Sequence, residues 1–164
     1  VGPLVRILIA YDQKPNPELT RAMDNFLGMT SLSLSDLDSC LGRHAARVIE
    51  LQVIFDHLES WIEQLAPTKP ACADFDIPSS AKGVGLTEAP RGALGHWIEI
   101  EDSKISNYQC IVPTTWNCSP KDNSGVPGPV EQALLDTEVA DDKNPMEAAR
   151  VVRAFDPCLA CAVH

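Results

Sequence analysis

The feature that most limits what this chain can fold into is a run of apolar residues at helical spacing between Asp36 and Leu65. Leu37, Leu41, Ala45, Val48, Phe55, Leu58, Ile62 and Leu65 recur at every third or fourth position, with Gln52 as a break. That period predicts one long amphipathic α-helix. Ser35 or Asp36 would cap its start and Pro67 would stop it. At ~1.5 Å per residue such a helix is roughly 45 Å long, longer than an ordinary globular helix. It needs a bundle of other long helices around it, and no second run of that length is visible in the sequence.

The remaining segments predict shorter elements. Leu4 to Ala10 reads as a strand, and Glu18 to Leu27 as a helix ending near Gly28. Residues 66–85, with Pro67, Pro70, Pro78, Gly83 and Gly85, read as a loop. Trp97 to Glu101 and Ile105 to Val112 read as a hairpin turning at Asp102-Ser103-Lys104, with Pro113 as its end. Residues 116–130 are again a loop, followed by short helices at Glu131 to Leu135 and Pro145 to Phe155. The expected fold class is α+β and mainly helical, in a single unit over residues 1–164. Within it, residues 1–35 form a peripheral segment, 36–66 the long helix, and 86–164 loops, hairpin and tail.

Composition removes two classes of partner. Thirteen Lys and Arg against 23 Asp and Glu leave a net charge of −10, which would repel a phosphate backbone or an anionic bilayer surface. No stretch approaches the roughly 20 apolar residues of a spanning helix, so no direct membrane span is expected. The start, Val1 to Ala10, lacks the basic region and long apolar run of a signal peptide. The opening on Val1 and the stop at His164 suggest processing or fragmentation at both ends.

Six cysteines are present, at positions 40, 72, 110, 118, 158 and 161. Only Cys158 and Cys161 form a close pair, so the set is read as metal or redox chemistry at the tail rather than a disulfide framework. The other four are expected to be mostly buried small apolar residues. Thiolates three residues apart reach one side of a turn, and they select zinc, copper(I), nickel or iron over magnesium or calcium. One pair is half of a four-thiolate shell. Taken alone, Cys-x-x-Cys is a weak signal; a thioredoxin-like dithiol would follow a strand in a βαβ unit rather than lie near a terminus.

The tail as a whole carries more. Asp156-Pro157-Cys158-Leu159-Ala160-Cys161-Ala162-Val163-His164 resembles the C-terminal signature of the nickel-iron hydrogenase large subunit. Leu41 to Arg47, Thr87 to Gly92 and Val112 to Asn117 resemble three further segments of that family, in the same order. Four ordered motifs across Leu41 to His164 are far more specific than the Cys-x-x-Cys alone.

The resemblance implies the large-subunit fold and reversible, heterolytic oxidation of H2 to protons and electrons at a nickel-iron centre. Cys158 would be a terminal nickel ligand and Cys161 a bridge to iron. Pro90, Arg91, Val112, Pro113 and Thr114 would surround the carbonyl and cyanide ligands of the iron. Arg91 and Thr114 suit this chemically, because both can donate hydrogen bonds to cyanide nitrogen. Asp156 would pair with a buried Arg91, which without a partner would be costly. His164 and the backbone carbonyl of Cys110 would help bind magnesium or a similar hard ion; a main-chain oxygen suits such an ion and a sulfur does not. Catalytic roles fall to Arg91, Cys158 and Asp156. A guanidinium holds its proton far above neutral pH and is a poor base, so the Cys158 thiolate competes with Arg91 as proton acceptor.

The departure from the family is equally informative. The N-terminal Arg-x-Cys-Gly-x-Cys type of motif that supplies two more thiolates has no counterpart here, nor has an iron-sulfur cysteine set. The implied partners are therefore the N-terminal part of the large subunit with the other two cysteine ligands, an iron-sulfur small subunit, and an endopeptidase that trims the tail after His164. Location stays open between the cytoplasm and the membrane-associated or periplasmic side, reached through the small subunit. The rival reading is a non-catalytic nickel or zinc carrier using the Cys-x-x-Cys-x-x-His tail, for which the Thr87–Gly92 and Val112–Asn117 segments would have no use. His44, His57 and His96 read as packing residues, with His44 and Arg47 one helical turn apart, and Asp136 to Asp142 as a solvated face.

Overall fold

The computed structural model describes residues 1–159. Cys161 and His164 lie outside them. The chain runs through three helices, a three-stranded sheet and three shorter helices.

Helix α1 spans Pro3–Gln13, where a strand was expected over Leu4 to Ala10. Pro3 in the first turn presets the helical φ, and Leu4, Ile7, Leu8 and Tyr11 fall at helical spacing on the face that meets α2 and α3. The short apolar run satisfies either period, and packing decides it. Helix α2 spans Pro17–Thr30; the Asn16 side chain caps it, accepting from the backbone N–H of Glu18 and Leu19 at 2.9 and 3.1 Å.

The long helix, α3, spans Cys40–Glu63 and starts later than the apolar period suggests. Leu34–Leu37 instead forms a 3₁₀ turn, closed by a capping box in which Asp36 Oδ2 accepts from Ser33 N at 2.8 Å. Ser39 is the cap of α3, its Oγ accepting from Gly42 N at 3.1 Å. Gly42 is required there: a Cβ would sit 2.0 Å from the Leu37 carbonyl oxygen.

Leu4, Ile7, Met23, Leu37, Ala46 and Ile49 form the core. The first thirty residues are thus not peripheral; α1 and α2 supply neighbours for the N-terminal half of α3. Its C-terminal half stays open, with Leu51, Phe55, Leu58, Trp61 and Ile62 exposed. The demand for a bundle is half met within this chain.

Strands β1 (Ser80–Ala89), β2 (Gly92–Glu101) and β3 (Lys104–Ile111) make an antiparallel meander in chain order. The expected hairpin is β2–β3, and β1 adds a strand where Gly83 and Gly85 had suggested loop. Asp102 and Ser103 both adopt left-handed backbone, φ 50° and 58°, at the second turn, the conformation that matches the twist of a two-residue hairpin. The first turn, Pro90-Arg91, is equally tight, since Ala89 pairs directly with Gly92. Helices α4 (Pro113–Asn117), α5 (Pro129–Leu134) and α6 (Met146–Ala154) follow.

The four cysteines outside the tail are less buried than expected: Cys72 and Cys118 are exposed, Cys40 and Cys110 half-buried. Cys72 sits in a Pro-flanked loop with no core beneath it. Among the described residues, no helix is long and apolar enough to cross a membrane.

Candidate metal centre

Three segments far apart in sequence meet at one edge of the molecule. The β1–β2 turn presents Pro90 and Arg91; the start of α4 presents Val112 as its cap, Pro113 and Thr114; the stretch after α6 presents Asp156, Pro157 and Cys158. Arg91 Nε lies 3.1 Å from Asp156 Oδ2, and Cys158 N donates to Thr114 Oγ1 at 2.9 Å. All five pocket residues and the first thiol are thereby brought to one place.

Local backbone explains the convergence. Pro113 occupies the first turn of α4, where its missing N–H is no loss. Asp156 is left-handed, φ 52°, a conformation Asp tolerates better than most side chains. That kink directly before Pro157 turns the chain out of α6. Upstream, Arg47 on α3 donates through Nη2 to the Ala154 carbonyl at 2.7 Å, and the Arg43 guanidinium lies over the Phe155 ring, 3.9 Å from its centroid. Burial lowers the Arg43 pKa from its ordinary value, opposed by Asp38. The third and seventh residues of the Leu41–Arg47 segment thus hold the stem of the tail.

Arg91 is not buried as expected. Its side chain is 44% exposed and that of Asp156 45%, because nothing among the described residues covers the outer side of the turn. In this state the pair is a surface ion pair worth at most about 1 kcal/mol.

The remaining site residues are placed differently. Cys110 stands on β3 opposite His96, with its Sγ 3.9 Å from His96 Nε2 and its carbonyl accepting from Gln109 Nε2 at 3.3 Å. His96 in turn meets the Tyr108 hydroxyl. These contacts belong to the sheet, not to the Arg91–Thr114–Cys158 group. Among the described residues, no three His, Cys, Asp or Glu side chains gather around one point. The Cys158 sulfur is in a disulfide, so it would have to be reduced to a thiolate before it could bind a metal.

The donors around Cys158 nevertheless suit a soft metal with hydrogen-bonding diatomic ligands. Thr114 accepts from Cys158 N and keeps its own hydroxyl proton for another acceptor. Arg91 meets Asp156 through Nε, and its Nη groups are separate donors. The Cys158 sulfur, once reduced, would supply the soft ligand.

Sequence reasoning missed three contributors. Arg6 on α1 donates to the carbonyls of Ala89 and Pro90, at 2.9 and 2.8 Å. Glu50 on α3 accepts from Arg6 Nη2 at 2.8 Å. Asn117, only 4% exposed, accepts from Val1 N at 2.9 Å and donates to Val1 O at 3.1 Å. The available signal was a lone arginine inside the apolar run Leu4 to Ala10.

Comparison with known proteins gives the family. The family model described as "Nickel-dependent hydrogenase" matches residues 1–164. The uptake hydrogenase large subunit of Bradyrhizobium diazoefficiens is 44% identical over the whole of this chain and 29% of its own length. The periplasmic [NiFeSe] hydrogenase large subunit of Desulfomicrobium baculatum is 40% identical over the whole chain and 32% of its own length. Among solved structures, the reduced Ni-Fe-Se hydrogenase of D. vulgaris Hildenborough superposes with a TM-score of 0.70 and 45% identity, covering 77% of this chain and 26% of that one. The chain therefore spans about a third of the length of such relatives, and it belongs to the nickel-dependent hydrogenase family.

Proposed function

We propose that this chain is the C-terminal, nickel-binding portion of a nickel-iron hydrogenase large subunit that oxidises H2 reversibly. The observation that carries the proposal is the meeting of Arg91–Asp156 with Thr114–Cys158 at one edge. A carrier that used only the thiols would have no need of an arginine and a hydroxyl arranged around them.

When bound, the nickel-iron centre would supply the site for heterolytic cleavage of H2, whose overall oxidation yields two protons and two electrons. Cys158, once reduced, and Cys161 would be the thiolates through which this chain holds the metal. Metal binding removes the thiol protons, because only the thiolate binds. Arg91 and Thr114 would donate hydrogen bonds to acceptor ligands of such a centre, and Pro90, Val112 and Pro113 would exclude water beside them. Cys158 Sγ, once reduced, and Arg91 are the two candidates for proton acceptor, and Asp156 fixes the direction of the Arg91 guanidinium. His164 and the Cys110 carbonyl serve a magnesium or similar hard cation.

Two thiolates leave a bimetallic shell incomplete, and the α3 face from Leu51 to Ile62 lies open. The N-terminal part of the large subunit supplies both the other two cysteine ligands and a cover for that face. Electrons leave through a small subunit carrying iron-sulfur clusters, and an endopeptidase trims the tail after His164.

The test is an infrared spectrum with metal analysis of the complex purified through this chain. Sharp bands in the metal carbonyl and cyanide region, with nickel and iron in equal amounts, are expected. Zinc or no metal, without those bands, would leave the carrier reading instead. Arg91→Lys should keep the bands and lose most of the turnover; unchanged turnover would remove Arg91 from the mechanism.

A further inference from the structure

We propose that Arg6, braced by Glu50, is a positioning residue that fixes the Pro90–Arg91 turn and so the direction in which Arg91 faces the metal site. This rests on the hydrogenase reading for its catalytic consequence, but not for the contact itself.

The geometry is that of a fork on two rails. Arg6 Nη1 donates to the Ala89 carbonyl at 2.9 Å and meets Glu88 Oε2 at 3.0 Å; Nη2 donates to the Pro90 carbonyl at 2.8 Å and to Glu50 Oε2 at 2.8 Å. Its Nε faces the second oxygen of Glu50. Every nitrogen of the guanidinium is therefore engaged, and the side chain is only 22% exposed. Two successive carbonyls are held by one planar group, a match that a lysine ammonium cannot reproduce.

The anchor is stiff because its two ends lie on packed helices. Arg6 is on α1 and Glu50 on α3, beside Ile7 and Ile49 of the core. The backbone between them and the turn is in close contact as well: a Cβ on Gly92 would stand 2.8 Å from Gly2 N. Gly92 itself has φ 137°, where a side chain is strained. The same first residues reach α4 through the paired contacts of Val1 with buried Asn117. Residues 1–6 thus lie between the Arg91 turn and the helix that carries Thr114, and set their separation.

Arg91 lacks such support of its own. It stands at the tip of a two-residue turn, bonded outward to a half-exposed Asp156. With the Ala89 and Pro90 carbonyls released, the turn can pivot about its strands, and a displacement of even about 1 Å at a catalytic group is costly.

The experiment uses the assembled hydrogenase complex with Arg6→Lys and, separately, Glu50→Gln. Deuterium uptake is followed by mass spectrometry in peptides covering Leu86–Gly95 and Cys40–Glu63, alongside metal content, infrared bands and kinetics. For Arg6→Lys, uptake in the turn peptide should rise with the α3 peptide unchanged. Metal content should hold, the cyanide bands should shift, and kcat should fall about tenfold to a hundredfold with little change in KM. Glu50→Gln should show the same pattern, smaller. Unchanged uptake in the turn peptide, or an equal rise in both peptides, would overturn the positioning role. If the unmodified complex lacks the carbonyl and cyanide bands, the hydrogenase reading fails, while the uptake comparison still decides whether Arg6 holds the turn.

Discussion

Arg6 and Arg91 sit within a few residues of each other's contacts yet belong to opposite kinds of region. Around Arg6 the chain completes itself: three helices pack, two carbonyls and two carboxylates meet one guanidinium, and the side chain is mostly covered. Around Arg91 it stops halfway, with an open ion pair and a single described thiol position. The same division runs along α3, whose first half buries Ala46 and Ile49 in the core with α1 and α2 and whose second half buries no residue and exposes Phe55, Trp61 and Ile62. Stability in this chain is concentrated at one side and chemistry at the other. A family member that spans about a third of its relatives is organised like a foundation laid before its wall.

The strongest way to break that comparison is to remove a side chain from each half of the helical layer. Met23 is fully buried between α2 and α3, so Met23→Ala should cost about 2–5 kcal/mol in denaturant unfolding of this chain. Phe55→Ala, on the open half, should cost less than about 0.5 kcal/mol here. In the assembled complex the Phe55 variant should become several-fold more damaging than in the isolated chain. Equal costs in the isolated chain would mean that the second half of α3 is not open.

The tail offers a smaller contrast. Arg47→Met removes a charged donor from the Ala154 carbonyl, which should cost about 1.5–3 kcal/mol and loosen the stem of the tail. Asp156→Asn removes only an exposed ion pair, at most about 1 kcal/mol by the same unfolding measurement, yet it should cost turnover in the complex far more than Arg47→Met does per unit of stability lost. Thr114→Val lies between the two: it takes the acceptor from Cys158 N, at about 1 kcal/mol. A larger stability loss for Asp156→Asn than for Arg47→Met would place the tail's anchor at the turn instead of at α3.

The division also explains what could be read from the sequence. The long helix was legible because a period of three and four over thirty residues admits one structure, and the β2–β3 hairpin because Asp-Ser sits between two strand-like runs. The pairing of Arg91 with Asp156 was legible through the tail and loop motifs, which bring their own context. Leu4 to Ala10 was not: a seven-residue run with six apolar side chains fits either period, and only the contacts of Leu4 and Ile7 with α2 and α3 choose the helix. Strand β1 was hidden by Gly83 and Gly85, whose weak propensity is outweighed by ten paired residues along β2. Arg6 was hidden for a different reason. Its partners are backbone carbonyls more than eighty residues away, and a carbonyl has no letter in a sequence.

The smallest effect expected is at the 3₁₀ turn before α3, and it separates two aspartates that each close a turn. Asp156 is tied to a side chain across the fold; Asp36 is tied locally to Ser33, whose hydroxyl and then its backbone N–H hold the Asp36 carboxyl below its usual pKa. Both contacts favour the ionised form, so Asp36 binds its proton less readily in the folded chain than in the unfolded one. The contribution of this capping box is therefore fully present above the ordinary aspartate pKa of about 3.9 and is lost as pH falls through the lowered folded value. Amide shifts of Ser33 and of Cys40–Gly42, followed by NMR as pH is lowered through about 4 to 2, should move together at a midpoint below that of a model aspartate. Asp36→Asn should abolish that transition without shifting the Arg6 contacts on the other side of the core. A Ser33 shift that titrates at the model value, or one that survives Asp36→Asn, would mean that the turn is closed by its hydroxyls alone and that the start of α3 is set by Ser39 without help from the residues before it.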